Sequence, residues 1–328
     1  MGHLVCYRKE KTNQSLLVNE WADILKEKGD SFMNILKEFD EAIAKQESEK
    51  NSVGRGYKIG EKKPYDAYMD NESWLRFIKQ MRPEHYNQYN SGSGKELESK
   101  DGKPPKMASF ASSSQMICRL SRNVKGFVFE EQLPTTVGGL ANLDGYLPLS
   151  EKLIFVEAKC REPYGHSGEQ TISTKYEELY RYLANQENFP FKCEIKKEAD
   201  EAKNMQVAFA WEDQKVEHFD IKQMICHLLG IATKLLKYPE DRKIQFLYLL
   251  YNPTDLSMPQ IAKEEILHIY SDTCWAANHY DFKAMFGHII DFLIAQKGFR
   301  ADDIYVAQLK DSFDFMLCDQ NNYQIQLK

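Results

Sequence analysis

Residues 140–161 place two apolar segments on either side of a short polar turn, and three charged side chains interrupt them. Residues 153–156 are aromatic and β-branched, which is typical of a buried strand. Asp144 precedes the turn, whereas Glu157 and Lys159 follow the strand after it. Burying such charges is costly unless they are paired or bind a metal ion. The segment is therefore predicted to form a hairpin that carries a paired or metal-binding cluster.

The pairing of this hairpin follows from the position of its turn, which is predicted at residues 148–152. Symmetric pairing about the centre of the turn puts Asp144 directly opposite Glu157. Directly opposed side chains share one face, with Cβ atoms about 4.5–5.5 Å apart. Side chains alternate along a strand, so Lys159 joins Glu157 on that face. Two carboxylates and one amine are therefore expected close together.

The same arithmetic extends upstream to a third strand, which is predicted at residues 126–133. Pairing centred on the loop at residues 134–139 puts Glu130 opposite Asp144. Glu130, Asp144 and Glu157 then form a row across a three-stranded meander. A slip of one residue would turn the side chains to the other face, so the row depends on this register.

Periodic patterns predict the elements around the meander. Helices are predicted at residues 21–25, 32–43, 74–78, 108–123, 176–183, 220–236, 261–277 and 282–296, a buried strand at 244–251, a short helix or strand at 207–211, and added edge strands at 304–307 and 313–317. The helix near residue 220 has Asp220 as its expected N-cap. Residues 86–105 are rich in Gly, Ser and charge and predict a flexible loop.

These patterns divide the chain into an N-terminal helical region at residues 1–90, a flexible loop at 91–106 and a larger domain at 107–328. The larger domain contains an insertion at about residues 163–219. Residues 50–68 mix basic side chains with tyrosines, which is compatible either with gripping nucleic acid or with a solvated loop whose tyrosines pack inward.

Composition limits the class of protein further. The net charge of −6 does not indicate a nucleic-acid binder, but binding depends on a local patch rather than on the total. The seven cysteines are scattered and form no C-x-x-C pair, which argues against a zinc ribbon or a disulfide scaffold. The sequence shows no signal peptide and no apolar run of membrane-spanning length. A cytoplasmic protein without a membrane partner is expected.

Asp144 and the Glu157-Ala158-Lys159 triplet, placed on a meander, resemble the signature of the PD-(D/E)XK nuclease superfamily. More narrowly, the chain is similar to a bacterial family of proposed restriction endonucleases. The residues that support the closer likeness are Ser113-Ser114-Gln115, Phe129-Glu130, the run EAKCRE at 157–162, and Gln223 with His227 four residues later. The chain departs from the superfamily at Leu143, where a proline commonly precedes the aspartate.

The resemblance implies an α/β (α+β) fold with a restriction-endonuclease-like αβββαβ core, a mixed central sheet, and helical additions at both ends. It also implies a metal-dependent endonuclease that hydrolyses DNA. Mg²⁺ takes oxygen ligands, so Asp144 and Glu157 are the expected metal-binding carboxylates, and Mn²⁺ is a conceivable substitute. By resemblance, the backbone carbonyl of Ala158 is a further ligand. Lys159 would orient the attacking water or stabilise phosphate oxygens, and Glu130 would hold a second metal or orient water.

Other polar residues are candidates by comparison with related nucleases. Gln223 is expected to face the active site from the helix after the insertion, and Gln115 is a candidate polar helper on the helix before the meander. Asn142 lies near the row of acids. A histidine on an amphipathic helix is more often packed than catalytic, so a packed side chain is favoured for His227.

Several alternatives stay open at the level of sequence. An acid followed two residues later by lysine also occurs at Glu61, Asp220 and other positions, so the triplet alone means little. The structural alternative is a row of surface salt bridges, Glu157 with Lys159, on a half-exposed sheet face. Two secondary alternatives are a catalytically inactive nucleic-acid-binding module that keeps the fold and a DNA repair or recombination nuclease. Cutting a palindrome would require a two-fold dimer, so a homodimer is compatible with the restriction-type alternative.

Overall fold

The computed structural model describes residues 34–50, 56–59, 67–92, 94–100, 102–165, 171–186, 191–199, 205–211 and 218–327. The protein is of the mixed α/β class. Its centre is an open five-stranded sheet, and smaller sheets of two and three strands are formed elsewhere in the chain. None of the helices in these ranges combines the length and the apolar composition that crossing a bilayer requires.

The elements follow one another in five groups along the chain. The first holds α1 at residues 34–50, β1 (Tyr57–Ile59), β2 (Ala67–Met69), α2 (Asn71–Gln80), α3 (Pro83–Ser91) and α4 (Ser113–Ser121). The meander holds β3 (Val128–Pro134), β4 (Leu140–Pro148) and β5 (Lys152–Lys159). The next group holds α5 (Glu162–Gly165), β6 (Thr171–Ser173), α6 (Glu177–Ala184), β7 (Phe191–Ala199) and β8 (Met205–Trp211). The fourth holds α7 (Ile221–Lys237) and β9 (Lys243–Leu250), and the last holds α8 (Gln260–His279), α9 (Phe282–Lys297), α10 (Asp303–Ser312), β10 (Phe313–Asp319) and α11 (Tyr323–Gln326).

The central sheet has the strand order β10-β9-β5-β4-β3. Strands β3, β4 and β5 form an antiparallel meander, whereas β9 runs parallel to β5 and β10 runs parallel to β9. Helix α7 packs on β3 and β4, and helix α4 packs on β4 and β5. The buried apolar side chains form two clusters, one on each face of the sheet. Helices α6, α7 and α9 cover one face, and α1, α4 and α8 cover the other.

The register between β3 and β4 is the one that the sequence predicts. Phe129 pairs with Gly145 and Glu131 pairs with Leu143, which leaves Glu130 opposite Asp144.

The register between β4 and β5 is also the predicted one. Its last backbone pair joins Gly145 to Val156, and continuing it by one residue brings Asp144 opposite Glu157. The strands part at this point, because the side chain of Asp144 accepts the backbone N–H of Ala158. The predicted row of three acids is therefore correct in register and ends beside an opened strand pair.

Both β3 and β4 reverse their faces at the position of the row. Phe129 packs with the α4 cluster and Leu133 with the α7 cluster, although residues four apart in a regular strand share one face. Leu147 and Leu143 show the same change on β4. Glu130 lies at the reversal with a φ of 55°, in the left-handed region that side chains rarely adopt.

Two elements differ from the predictions near the N-terminus. Residues 86–105 were expected to be a loop, but their first part belongs to α3, which begins with Pro83 in the favourable first-turn position. His85 and Tyr89 are buried there and contact the ring of Phe129. Tertiary packing of a weakly patterned helix therefore overrides its polar composition.

The second difference is the predicted edge strand at residues 304–307, which is wrong because these residues lie in α10. Asp302 caps this helix, and its carboxylate accepts two backbone N–H groups of the first turn. The alternation of residues 304–307 indicated a strand, but Leu309, four residues after Tyr305, is the buried anchor of a helix. The other predicted edge strand is confirmed as β10, at the sheet edge.

The remaining predicted elements are confirmed with shifts at their ends, and residues 207–211 belong to strand β8. The predicted helix at 21–25 and much of the basic and tyrosine-rich segment at 50–68 lie outside the described residues. The division into domains at residue 90 and residue 106 stays a prediction.

Two helical glycines give opposite expectations for stability. A Cβ at Gly230 in α7 would lie 2.7 Å from the Cβ of Ala141 and 3.0 Å from that of Leu133. Replacing Gly230 by alanine should therefore destabilise the fold by about 1–3 kcal/mol, despite the better helix propensity of alanine.

The matched control is Gly287 in α9, where the nearest atom to an added Cβ is 3.7 Å away in the flexible side chain of Lys310. Gly287→Ala is expected to stabilise by about 0.5–1 kcal/mol. Denaturant unfolding of both variants measures the two changes. A stabilised Gly230→Ala protein would contradict the close packing of α7 on the sheet.

Candidate functional site

A cavity of about 430 Å³ opens where β4 and β5 part, between the N-terminal ends of α4 and α7. It brings together residues from four separate parts of the chain. The lining side chains are Glu96, Lys106, Ser109, Ala111, Ser112, Ser113, Ser114, Asp144, Glu157, Ala158, Lys159, Arg161, Glu162, Gly165 and Gln223. Four of these are carboxylates and three are lysine or arginine, so the cavity is strongly polar.

Strands β4 and β5 position three predicted site residues in this cavity. Asp144 Oδ2 accepts the backbone N–H of Ala158 at 2.7 Å, which fixes the carboxylate against the end of β5. Glu157 Oε1 lies 2.6 Å from Nζ of Lys159. Both side chains of this ion pair are almost completely buried. The alternative of surface salt bridges on a half-exposed sheet is therefore wrong for Glu157 and Lys159.

Helix α7 brings the next group to the same side. Asp220 caps the helix by accepting the N–H of Gln223, which fixes the first turn beside the cavity. Gln223 Oε1 accepts a hydrogen bond from Nζ of Lys159 at 2.6 Å. One turn later, Nε2 of His227 lies 2.8 Å from Oε2 of Glu157, and the imidazole is buried. Gln223 and His227 thus hold the Glu157–Lys159 pair from one helix face.

The two opposed carboxylates differ in their protonation chemistry. Burial and the negative charge of Glu157 raise the pKa of Asp144 well above its ordinary value, and Lys159 only partly opposes them. Burial also disfavours the charged form of Glu157, but the Lys159 ammonium and His227 hold its pKa below the ordinary value. The carboxylate of Glu157 likewise raises the pKa of Lys159 against the effect of burial. Asp144 is therefore held towards its neutral form, and a cation beside it would favour the ionised carboxylate.

Glu130 lies next to the cavity but does not line it. Burial raises the pKa of Glu130 to about 7, with further contributions from the charges of Glu96 and Glu157. Its left-handed backbone costs on the order of 1–3 kcal/mol, and such strain is common at functional sites. The sequence correctly predicts its place opposite Asp144, but its role as a ligand stays a prediction.

Several cavity residues were not predicted as site residues. Ser113 Oγ donates to the carboxylate of Glu162 at 2.7 Å, and the N–H of Cys160 is 2.9 Å from the same carboxylate. Glu96 accepts from Nζ of Lys106 at 3.2 Å. Glu162 could have been found in the charged run after β5. No sequence pattern indicated Glu96 as a site residue, because it belongs to a loop and its position at the site does not follow from a periodic pattern.

Two weaker candidates do not reach the cavity. Gln115 is buried on α4, and its Oε1 accepts from Nε of Arg119 at 2.6 Å. Asn142 is half-buried on β4 and does not line the cavity. On α4, Ser113 and Ser114 line the cavity, whereas Gln115 does not.

The donor set can be tested against the needs of a divalent cation. Within the described ranges, no group of three His, Cys, Asp or Glu side chains is arranged to hold a metal ion by itself. Mg²⁺ is usually bound by one or two carboxylates, with water and substrate completing the shell. Asp144 and Glu157 meet this requirement, because both carboxylates line the cavity and, among the ion pairs of the described residues, Asp144 has no cation as close as the Lys159 that pairs with Glu157. The residues present therefore fit a hard divalent cation.

Comparison with protein-family models, with curated proteins and with solved structures found no match for this chain.

Proposed function

We propose that the protein is a metal-dependent nuclease that hydrolyses phosphodiester bonds in DNA, of the restriction-endonuclease type. The observation that carries the proposal is the convergence of Asp144, Glu157 and Lys159 on one cavity, in the predicted register. The order of α4, the meander, α7 and β9 is that expected for the αβββαβ core of the PD-(D/E)XK superfamily. The segment between β5 and α7 corresponds to the insertion that the sequence predicts at about residues 163–219.

The residues that would hold the cation are Asp144 and Glu157, with the backbone carbonyl of Ala158 and, for a second ion, Glu130. Mg²⁺, or Mn²⁺ in its place, would lower the pKa of a bound water and neutralise charge on the phosphate. The paired carboxylates are suited to this because they supply oxygen ligands from two adjacent strands.

Lys159 and Gln223 would act on the substrate side of the site. The ammonium of Lys159 is held between Glu157 and Gln223, which leaves it one N–H for a water or a phosphate oxygen. A fixed cation at that position stabilises negative charge that develops on the phosphate, because it needs no reorganisation during the reaction. Gln223 is then a positioning residue for Lys159.

Two alternatives from the same fold remain candidates. A catalytically inactive DNA-binding module needs no buried, ion-paired lysine between two carboxylates, so the complete set favours an enzyme. A repair or recombination nuclease would use the same residues on branched or single-stranded DNA. Restriction-type cutting of a palindrome would also require a homodimer.

The test is incubation of the purified protein in Mg²⁺ with supercoiled plasmid, linear duplex, single-stranded DNA, a four-way junction and RNA. Cleavage of plasmid and duplex in Mg²⁺ but not in EDTA is the expected result. Preference for the junction or the single strand would favour the repair or recombination class. Binding of DNA without cleavage of any substrate would favour the inactive module.

A further inference from the structure

Helix α1 is joined to the rest of the protein by two acid–arginine pairs. Asp40 Oδ1 lies 2.9 Å from Nε of Arg161, and Glu47 is paired with the guanidinium of Arg119. Asp40 and Glu47 are seven residues apart, so both project from one face of the helix. Asp40 is fully buried and Glu47 nearly so. The two pairs are thus similar in charge, burial and helix contact.

The two arginines differ in what else they reach. Arg161 follows Lys159 by two residues and lines the acidic cavity, whereas Arg119 does not. Arg119 also donates to Gln115, which anchors it on α4. Within the described ranges, Nη2 of Arg161 is enclosed by protein and has no aligned hydrogen-bond acceptor. The guanidinium has five N–H donors in a planar fork, so pairing with Asp40 leaves donors for an anion in the cavity.

The other two cations in the cavity are lysines, which present point charges rather than a planar set of donors. Nζ of Lys159 already contacts Glu157 and Gln223. Nζ of Lys106 is held by Glu96, and its side chain is half-exposed at 51%. Arg161 is more enclosed, with 17% of its side chain exposed. Arg161 thus combines a buried ion-pair partner with a planar guanidinium at the cavity wall, which the two lysines do not offer.

We propose that Arg161 binds a non-bridging phosphate oxygen of the polynucleotide strand in the cavity, and that Asp40 on α1 is the positioning residue that holds its guanidinium. This inference rests on the proposed function. It makes α1 part of the substrate-binding site rather than a separate appendage. Asp40 contacts the guanidinium at Nε, and Arg161 lines the cavity, so the part of the guanidinium at the cavity wall can donate to a phosphate oxygen.

The test uses two double variants that replace each ion pair by a neutral amide pair. Asp40→Asn with Arg161→Gln removes the pair at the cavity, and Glu47→Gln with Arg119→Gln removes the equivalent pair away from it. Each change avoids leaving one buried charge without its partner. Duplex binding is measured by fluorescence anisotropy in Ca²⁺ over a range of salt concentrations, and KM and kcat are measured with Mg²⁺ on the same duplex. Thermal unfolding reports whether α1 stays docked.

The cavity variant is expected to bind duplex about tenfold more weakly, the range for hydrogen bonds to charged groups. Its slope of log affinity against log salt should fall by about 1, as for one lost phosphate contact. Its KM should rise about tenfold with kcat within about threefold, because the contact exists before the reaction. The variant at Glu47 and Arg119 should match the wild type in each quantity.

Equal losses in both double variants would show that docking of α1, rather than Arg161, supports binding, and would overturn the inference. Wild-type affinity, salt slope and KM in the cavity variant would also overturn it, while leaving the proposed nuclease in place. A wild-type protein that neither binds nor cleaves DNA would instead overturn the proposed function and this inference with it.

Discussion

Lys159→Met is expected to abolish DNA cleavage and to make the stability of the folded protein depend more strongly on Mg²⁺. Lys159 is the direct partner of Glu157, and both side chains are buried. Removing one member of such a pair destabilises a protein by about 3–5 kcal/mol, because the other charge stays buried. A divalent cation at Asp144 and Glu157 would replace the lost positive charge. Added Mg²⁺ should therefore raise the free energy of unfolding of this variant more than that of the wild type.

Denaturant unfolding in EDTA and in Mg²⁺ measures this difference, and a plasmid assay measures cleavage. Lys152→Met is the matched control on the same strand. Nζ of Lys152 contacts the neutral oxygens of Gln245 and Gln326 away from the cavity. This control should keep its cleavage rate and the wild-type response to Mg²⁺. Normal DNA cleavage by the Lys159→Met protein would show that Lys159 has no role in the reaction.

Glu157→Gln is expected to have the opposite effect on the response to Mg²⁺. It breaks the same ion pair from the other side, so the protein should again lose about 3 kcal/mol of stability. Here the buried Lys159 keeps its positive charge and one carboxylate is gone, so Mg²⁺ should no longer stabilise the fold. Cleavage should be lost as well. Both variants lose the Glu157–Lys159 ion pair, but only Lys159→Met keeps both metal-binding carboxylates. Comparing their responses to Mg²⁺ therefore distinguishes loss of the ion pair from loss of metal binding.

The control for this second variant is Glu131→Gln on β3. Glu131 is paired with Lys234 at 2.9 Å and is partly exposed, away from the cavity. Pairs of this kind contribute about 0–1 kcal/mol. Glu131→Gln should keep both cleavage and the Mg²⁺ response. If Glu157→Gln were stabilised by Mg²⁺ as strongly as the wild type, Glu157 would not be a metal ligand.

Much of the site follows from local rules of sequence. The register of the meander could be predicted because its two turns are short, so that symmetric pairing about each turn fixes which residues face each other. That register alone brings Glu130, Asp144 and Glu157 into line. The cap at Asp220 fixes where α7 begins, and so places Gln223 beside Lys159. Short-range patterns are reliable here because each is reinforced by burial of the strand or helix face.

Other parts depend on contacts between distant segments. The left-handed conformation of Glu130 and the reversal of faces at β3 and β4 arise from packing on both sides of the sheet. The position of Glu96 depends on its contact with Lys106 and on the other contacts that place it at the cavity. The pairing of Asp40 with Arg161 joins positions that no local pattern relates. Such contacts are decided by tertiary structure, which periodicity does not encode.

The central claim is tested most directly by the single-turnover rate of plasmid cleavage in Mg²⁺ for wild type, Asp144→Asn and Glu131→Gln. Asparagine keeps an oxygen that can accept the N–H of Ala158, so the fold should survive while the charge is lost. A loss of about 4 kcal/mol of transition-state stabilisation corresponds to a rate about 10³-fold lower. The account predicts that loss for Asp144→Asn, no loss for Glu131→Gln, and no wild-type cleavage in EDTA. The same trace cleavage by wild type and Asp144→Asn would contradict catalysis at this site.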